Sequence, residues 1–191
     1  FGSYDDDAAA LDGLCYSAPY FLPFQAAGND RDDTAPASGT FFQYYYNGIW
    51  QYKTYNPSTD PLADGADNGG YDTIITSGNA KNCVTVGSVS DAVAGGLRST
   101  QSVNSAGYSG WGPADDGRVK PDLVANGEGV YSSGSGSDSS YLTMSGTSMA
   151  TPGAAGVAAL LLDWANRILP QWMPRAATLK ALLIHSADDL G

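Results

Sequence analysis

The residues around Ser148 have the types and the spacing that chemistry at a serine requires. The octapeptide Ser145-Gly146-Thr147-Ser148-Met149-Ala150-Thr151-Pro152 is a turn of mostly small residues that runs straight into an apolar, helix-forming segment at 154–165. A serine at the start of a helix lies among free backbone N–H groups and at the positive end of the helix dipole, where an anion is stabilised. Ser148 is therefore a candidate nucleophile. Most serines at helix starts only cap the helix, and the octapeptide alone favours neither role.

The segment after Ser148 predicts a helix deep inside a domain. Pro152 is expected in its first turn, where the missing N–H would have no partner within the helix anyway. Small residues keep the helix thin at Ala154, Ala155, Gly156, Ala158 and Ala159. Because a helix that is apolar all round belongs in a core, we expect this one to be packed on every side.

The serine motif and four other segments resemble motifs of the subtilisin-like serine peptidases, the subtilases. Residues 146–152 resemble the active-site motif of that family, which reads Gly-Thr-Ser-Met-Ala-(Ala/Thr)-Pro. The other segments, in family order, are the oxyanion-hole segment Ala26-Ala27-Gly28-Asn29, a core strand within 78–87, the turn at 108–113 and the strand at 120–125. Asn126 is a departure, because the family usually has proline there. The five motifs cover nearly the whole chain.

The resemblance implies a fold and a set of roles. The fold would be α/β, with a largely parallel sheet flanked by helices. Ser148 would be the nucleophile, and its backbone N–H together with the Asn29 side chain would hold the oxyanion. The backbone at Ala26, Ala27 and Gly28 would line one side of the pocket for the substrate residue that precedes the cleaved bond, with residues 73–75 as the other wall. Without the resemblance, Gly28-Asn29-Asp30 would be interpreted as a turn.

A catalytic serine also needs a base, normally a histidine oriented by a carboxylate. The family has these residues in the order Asp, His, Ser, whereas the one histidine here, His185, follows Ser148 in an apolar helical segment. The resemblance gives His185 no catalytic role, and we expect it to be packed on its helix or at its rim. The chain is thus predicted to be the C-terminal part of a catalytic domain, inactive without the N-terminal part that would carry Asp and His.

Two other functions stay open. One is a subtilase-like binding or scaffold domain without catalysis, which the upstream sequence would reveal by lacking Asp or His. The other is an unrelated hydrolase with a Ser148–His185 dyad, which requires the two side chains to come within hydrogen-bond reach. An α/β-hydrolase elbow is excluded, because it needs glycine two residues on each side of the serine and Ala150 occupies the second position.

Composition limits the partners. The chain has 191 residues, a net charge of −11 and only 9 Lys and Arg, so nucleic acid and anionic membrane surfaces are improbable partners. The expected partner is a polypeptide substrate. No cofactor is expected, and although subtilases commonly bind calcium, the clusters Asp5-Asp6-Asp7, Asp30 to Asp33 and Asp115-Asp116 lack the spacing of a cation site. The resemblance to subtilases and the acidic composition both favour a secreted protein. Cys15 and Cys83 are predicted to be free, buried thiols.

Hydrophobic patterning gives alternating helices and strands. We predict a first helix at 6–17, core strands at 20–26, 83–89 and 119–125, and two further helices from about 148 and 176. Residues 130–144 are interpreted as a Ser- and Gly-rich connection with a strand at 141–144. Aromatic alternation around Asn47-Gly48 predicts a hairpin inserted within about 34–70. Asn29 would then follow the carboxyl end of a strand, where α/β folds bind ligands.

Overall fold

The core of the molecule is a three-stranded parallel sheet with helices against it. The computed structural model describes residues 1–46, 49–60 and 71–190. The strands are, in chain order, β1 Phe24–Ala26, β2 Phe41–Tyr46, β3 Ile49–Thr54, β4 Val84–Val89, β5 Val93–Ala94, β6 Leu97–Arg98, β7 Leu123–Asn126, β8 Val130–Ser133 and β9 Tyr141–Met144. The α-helices are α1 Asp6–Ser17, α2 Thr147–Ile168 and α3 Ala176–Ser186. The core sheet has the order β1-β4-β7 with parallel pairing, which confirms the predicted α/β fold.

The central strand β4 is buried along its whole length and carries helix α2 on one face. Val84 and Val86 of β4 pack against Ala150 and Ala154 of α2. Alanines on the helix allow its backbone to lie close to the sheet, so the start of α2 is fixed relative to the strand ends. A continuous apolar strand of this kind is typical of the interior of a parallel sheet.

The expectation that α2 is packed on every side is wrong for the part of the chain that the structure describes. Its buried residues form one stripe, namely Thr147, Ala150, Ala154, Ala158 and Ala165. Large apolar side chains on the flank are more than half exposed, at Val157, Leu160, Trp164 and Ile168. Apolar composition predicts that a helix is buried, but not on how many sides neighbouring elements cover it. The three-stranded sheet covers only one face of α2.

Helix α1 has the predicted bounds because its start is well capped. The Asp5 carboxylate accepts a hydrogen bond from Ala8 N at 3.0 Å, and Asp6 and Asp7 supply negative charge in the first turn. Cys15 of α1 and Cys83 before β4 are both buried and both free thiols, as predicted.

A buried ionic cluster fastens α3 and β7 to the start of β4. Asp122 Oδ2 lies 2.8 Å from Lys120 Nζ, and Asp122 Oδ1 lies 2.8 Å from Lys180 Nζ of α3. The Thr85 N–H of β4 also donates to Asp122. Burial alone would raise the pKa of the Asp122 carboxyl, but these donors outweigh it and hold that pKa below its usual value.

Two predicted core strands are shorter than expected because proline precedes each of them. Pro23 stands directly before β1, and Pro121 stands two residues before β7. Proline lacks the N–H that a ladder needs, so regular pairing begins only after it. Strand β8 was not predicted as a strand. It pairs antiparallel with β9. Its last two residues, Ser132 and Ser133, are not typical of strands, so no strand pattern is visible in the sequence.

The aromatic segment contains an antiparallel pair of strands, β2 and β3. On this pair, the rings of Phe41 and Tyr52 stack with centroids 5.3 Å apart. The predicted turn at Asn47-Gly48 and residues 61–70 lie outside the described residues. That the segment is an insertion stays a prediction.

Candidate active site

Ser148 is the second residue of α2 and its side chain is exposed to solvent. Gly146 turns the chain into the helix with φ of 154°, and its carbonyl accepts hydrogen bonds from Met149 N at 3.0 Å and Ala150 N at 3.3 Å. Among the described residues, the backbone N–H of Ser148 has no acceptor. The serine therefore offers both a hydroxyl and a free N–H at the positive end of a helix.

Pro152 is the sixth residue of α2, so it lies in the second turn and the expected place in the first turn is wrong. In a regular helix the N–H at this position would donate to the carbonyl of Ser148. Proline has no N–H, so that carbonyl lacks its normal donor. The helix backbone thus lacks one hydrogen bond, the one that the carbonyl of the candidate nucleophile Ser148 would accept.

Asn29 follows β1 and is exposed, and its side chain is held against the start of α2. Its Oδ1 accepts hydrogen bonds from Thr147 N at 2.9 Å and Thr147 Oγ1 at 3.0 Å. Because a backbone N–H can only donate, the amide oxygen must face Thr147, and Nδ2 points away from that peptide. The structure thus brings the two predicted catalytic residues, Ser148 and Asn29, to the same corner of the sheet.

The residues predicted to line the substrate pocket lie beside this corner. Ala27 is fully buried, its N–H donates to Val86 O, and its carbonyl accepts from Ile75 N, both at 3.0 Å. Gly28 has φ of 108°, and a Cβ there would lie 2.7 Å from Ile75 Cγ2, so only glycine fits. Ala26 is half-buried in β1. The two predicted walls, 26–28 and 73–75, are therefore in direct contact.

A second glycine supports the serine turn and was missed by the sequence analysis. Gly127, just after β7, accepts a hydrogen bond from Gly146 N at 2.9 Å and another from the Tyr108 hydroxyl at 3.2 Å. A Cβ at Gly127 would lie 2.4 Å from Ser88 Oγ and 2.6 Å from Gly146 O. A glycine directly after a core strand is the signal that could have indicated this close approach.

The described residues provide no base for Ser148. Within the described ranges, no hydrogen bond joins its hydroxyl to a histidine or a carboxylate, and His185 is exposed in the last turn of α3. The same part of the chain contains no group of three or more His, Cys, Asp or Glu side chains that could hold a metal ion. It also contains no helix long and apolar enough to cross a membrane.

Comparison with curated proteins finds serine proteases. The chain is 26% identical to the serine protease/ABC transporter B family protein tagD of Dictyostelium discoideum over 244 residues, which cover 99% of this chain and 13% of that protein. It is 38% identical to the serine protease AprX of Bacillus subtilis over 137 residues, which cover 64% of this chain and 29% of AprX.

Solved structures share the fold. The self-cleaved protease domain of PatA matches with a TM-score of 0.60 and 22% identity, covering 100% of this chain and 50% of that one. A cold adapted subtilisin-like serine proteinase matches with a TM-score of 0.51 and 26% identity, covering 94% of this chain and 44% of that one. The chain thus spans half or less of the length of these relatives. A model of the subtilase family matches residues 2–191, and the chain belongs to that family.

Proposed function

We propose that the complete protein is a serine endopeptidase in which Ser148 forms an acyl-enzyme with the substrate. The observation that carries this proposal is the meeting of three groups at one corner: the exposed Ser148 hydroxyl, its free backbone N–H, and the Asn29 amide held by Thr147. A nucleophile beside two N–H donors is the arrangement that acyl transfer requires.

The proposed reaction has two stages. Ser148 Oγ passes its proton to a base and bonds to the peptide carbonyl carbon, whose oxygen becomes an anion held by Ser148 N–H and Asn29 Nδ2. The C–N bond then breaks, the amine leaves with a proton from that base, and water later hydrolyses the ester. Losing one oxyanion donor typically costs about 2.7–4 kcal/mol of transition-state stabilisation.

The base and its orienting carboxylate are proposed to come from a preceding part of the same protein. Two observations support this partner. The chain covers half of the PatA protease domain, and β1 is an edge strand among the described residues. A further parallel strand beside β1 would end at the same edge of the sheet as Asn29, within reach of Ser148. Alone, the chain would therefore be inactive.

The substrate is proposed to be a polypeptide, because the chain belongs to the subtilase family and the segment 26–29, which continues strand β1, lies beside the candidate nucleophile. The residue before the cleaved bond would be contacted from the segments 26–28 and 73–75, chiefly at their half-buried members Ala26 and Ile75. No cofactor enters the proposed reaction, and calcium is not assigned to any residue here. Secretion also remains a proposal, supported by the acidic composition.

The deciding experiment compares serine variants of the complete protein. Ser148→Ala should abolish labelling by a fluorophosphonate and lower kcat by several orders of magnitude, because the members of a catalytic triad act as a unit. Ser145→Ala is the matched control, since Ser145 accepts a hydrogen bond from Gly129 N in the same turn and should keep the labelling.

Retained activity in Ser148→Ala would refute the assignment. If the unmutated protein neither cleaves peptides nor reacts with the fluorophosphonate, the alternative of a subtilase-like binding domain without catalysis would replace it.

A further inference from the structure

Tyr108 connects the central strand of the sheet to the turn that precedes Ser148. Its hydroxyl lies 3.2 Å from the carbonyl oxygen of Gly127 and 2.9 Å from Ser88 Oγ. Gly127 accepts a second hydrogen bond, from Gly146 N at 2.9 Å. Gly146 is the N-cap residue of α2, two positions before Ser148. A continuous path of hydrogen bonds therefore runs from β4 to the start of the helix that carries the candidate nucleophile.

The directions of these hydrogen bonds follow from the chemistry of their atoms. A carbonyl oxygen can only accept, so the single proton of the Tyr108 hydroxyl goes to Gly127. The Ser88 hydroxyl must then donate to the Tyr108 oxygen. A hydroxyl that accepts a hydrogen bond becomes a better donor itself, so the Ser88 bond strengthens the bond that Tyr108 makes to Gly127.

Ser88 is a fixed anchor for this path. It is completely buried in β4, and its backbone N–H donates to Ser109 Oγ at 2.9 Å. Its carbonyl accepts a hydrogen bond from Ala106 N at 3.0 Å. The turn that carries Tyr108 is thus held to the same strand residue on both sides of the tyrosine. The Tyr108 hydroxyl therefore has a fixed position relative to the core sheet.

The two glycines between Tyr108 and Ser148 need such support. Glycine has the widest range of backbone conformations, so no side chain restricts the peptide planes at Gly127 and Gly146. The Gly127 carbonyl has two lone pairs, and the Tyr108 hydroxyl and the Gly146 N–H occupy both. Because Gly146 lies directly before α2, the orientation of the Gly127 carbonyl helps to fix the place of Ser148.

We propose that Tyr108 and Ser88 are positioning residues for peptide hydrolysis, which act on Ser148 and do not touch the reacting atoms. This inference rests on the proposed function of Ser148. Both residues act through the Gly127 carbonyl, which the Tyr108 hydroxyl holds towards Gly146, so the serine turn has one position before the substrate binds. A nucleophile misplaced by about 1 Å loses about 10²-fold in rate, so loosening this turn should lower kcat.

The test is a set of hydroxyl deletions in the complete protein. Tyr108→Phe removes the donor to Gly127 and keeps the ring. It should lower kcat about tenfold, the equivalent of one hydrogen bond, with little change in KM. Ser88→Ala weakens the same bond only indirectly and should lower kcat about threefold. Steady-state peptide hydrolysis measures kcat and KM, and thermal unfolding measures stability.

The double variant Tyr108→Phe/Ser88→Ala separates positioning from stability. In Tyr108→Phe the buried Ser88 hydroxyl loses the acceptor that it has in the structure, which lowers the unfolding temperature. Removing that hydroxyl as well should raise the unfolding temperature again, because two apolar groups then face each other. The kcat should stay as low as in Tyr108→Phe, because the Gly127 carbonyl still lacks its donor. A merely structural role predicts instead that kcat recovers together with stability.

Tyr4→Phe is the matched control. The Tyr4 hydroxyl donates to Asp12 Oδ2 at 2.8 Å beside helix α1, so this variant also removes one tyrosine hydrogen bond, but outside the path to Gly127. Its kcat should not change. If Tyr108→Phe is too unstable to purify, the double variant takes its place in the comparison, since its Ser88 hydroxyl is gone.

The outcomes separate this inference from the function on which it rests. If Ser148→Ala retains activity, or the unmutated protein has none, the proposed function itself is wrong. If Ser148→Ala is inactive but Tyr108→Phe leaves kcat unchanged, the backbone alone positions the serine and the inference is overturned.

Three further results would also contradict it. Recovery of kcat in the double variant, or an equal loss in Tyr4→Phe, would show that the Tyr108 hydroxyl serves stability alone. A change confined to KM would show that it serves substrate binding. An unchanged kcat in Ser88→Ala would remove Ser88 from the proposal.

Discussion

At the scale of single residues, we expect Asn29→Ala to lower kcat of the complete protein by about 10²–10³, because the developing oxyanion loses one donor. Labelling of Ser148 by a fluorophosphonate should remain detectable, since the nucleophile is intact. Steady-state kinetics and labelling on the same samples check this. Asn104→Ala, at another exposed asparagine, is the control and should leave kcat unchanged. An unchanged kcat for Asn29→Ala would remove this residue from the site.

Single residues at this site differ in how far the sequence could predict them. The types of Ser148 and Asn29, within motifs that resemble those of a known family, were enough to identify them as candidates. The contacts that orient them were not predictable. Asn29 and Thr147 are separated by more than a hundred residues, and a motif does not say which donor faces which acceptor. Gly127 was missed for the same reason, since its need for a bare Cα arises from Gly146 and Ser88.

We expect His185→Ala to leave kcat of the complete protein nearly unchanged. The ring is exposed in the last turn of α3, and no hydrogen bond within the described residues joins it to Ser148. Peptide hydrolysis and a thermal unfolding curve are the measurements. If His185→Ala proves as damaging as Ser148→Ala while the fold is intact, His185 is the base for Ser148, and the proposal that the base comes from a preceding part of the protein is wrong.

At the level of helices and strands, local signals predicted most elements. Helix α1 was predicted from apolar residues at near-helical spacing and from the acidic run at its start, and the structure adds that Asp5 caps it. The starts of β1 and β7 were placed too early because the effect of a preceding proline on pairing was overlooked. Strand β8 was missed because half of its residues are serine, and its strand character comes from pairing with β9. The composition of α2 could not show that only one face of this helix is buried.

The ionic cluster at Asp122 makes a prediction about stability and pH. Asp122→Asn should lower the free energy of unfolding near neutral pH by about 3–5 kcal/mol, because Lys120 stays buried without its partner. The pKa of Asp122 is lowered by folding, so its contribution is complete above the unfolded-state value of about 3.9 and is lost as the pH falls through the folded-state pKa. The difference between the two proteins should thus shrink below about pH 4.

Urea denaturation of both proteins at several pH values measures this difference. Asp163→Asn is the control, because the Arg167–Asp163 pair is exposed and such pairs contribute only about 0.3–0.5 kcal/mol. Equal effects of the two substitutions would show that the cluster at Asp122 contributes no more than a surface pair. A difference that does not narrow in acid would show that the contribution does not come from the charge of Asp122.

For the whole molecule, the family and fold were predictable from the sequence, whereas it stays a prediction that the base for Ser148 comes from another part of the protein. A purified chain of these 191 residues should hydrolyse peptides at or near background, since its one histidine is His185. Without a base, the oxyanion donors and substrate binding retain at most about 10³–10⁴-fold over water. Turnover at rates usual for an intact serine peptidase, abolished by Ser148→Ala, would contradict this expectation.

The two buried, free cysteines can be used to measure local opening of the structure. Cys83 is completely shielded, and Cys15 is 8% exposed on α1. Burial, followed by the nearby Asp12 and Cys83, raises the pKa of the Cys15 thiol, so it reacts slowly with alkylating reagents while the helix is docked. Rapid reaction of either thiol therefore requires the structure around it to open. Labelling of Cys15 would report local detachment of α1, and labelling of Cys83 would report opening of the core sheet. The ratio of the two rates therefore compares these two motions.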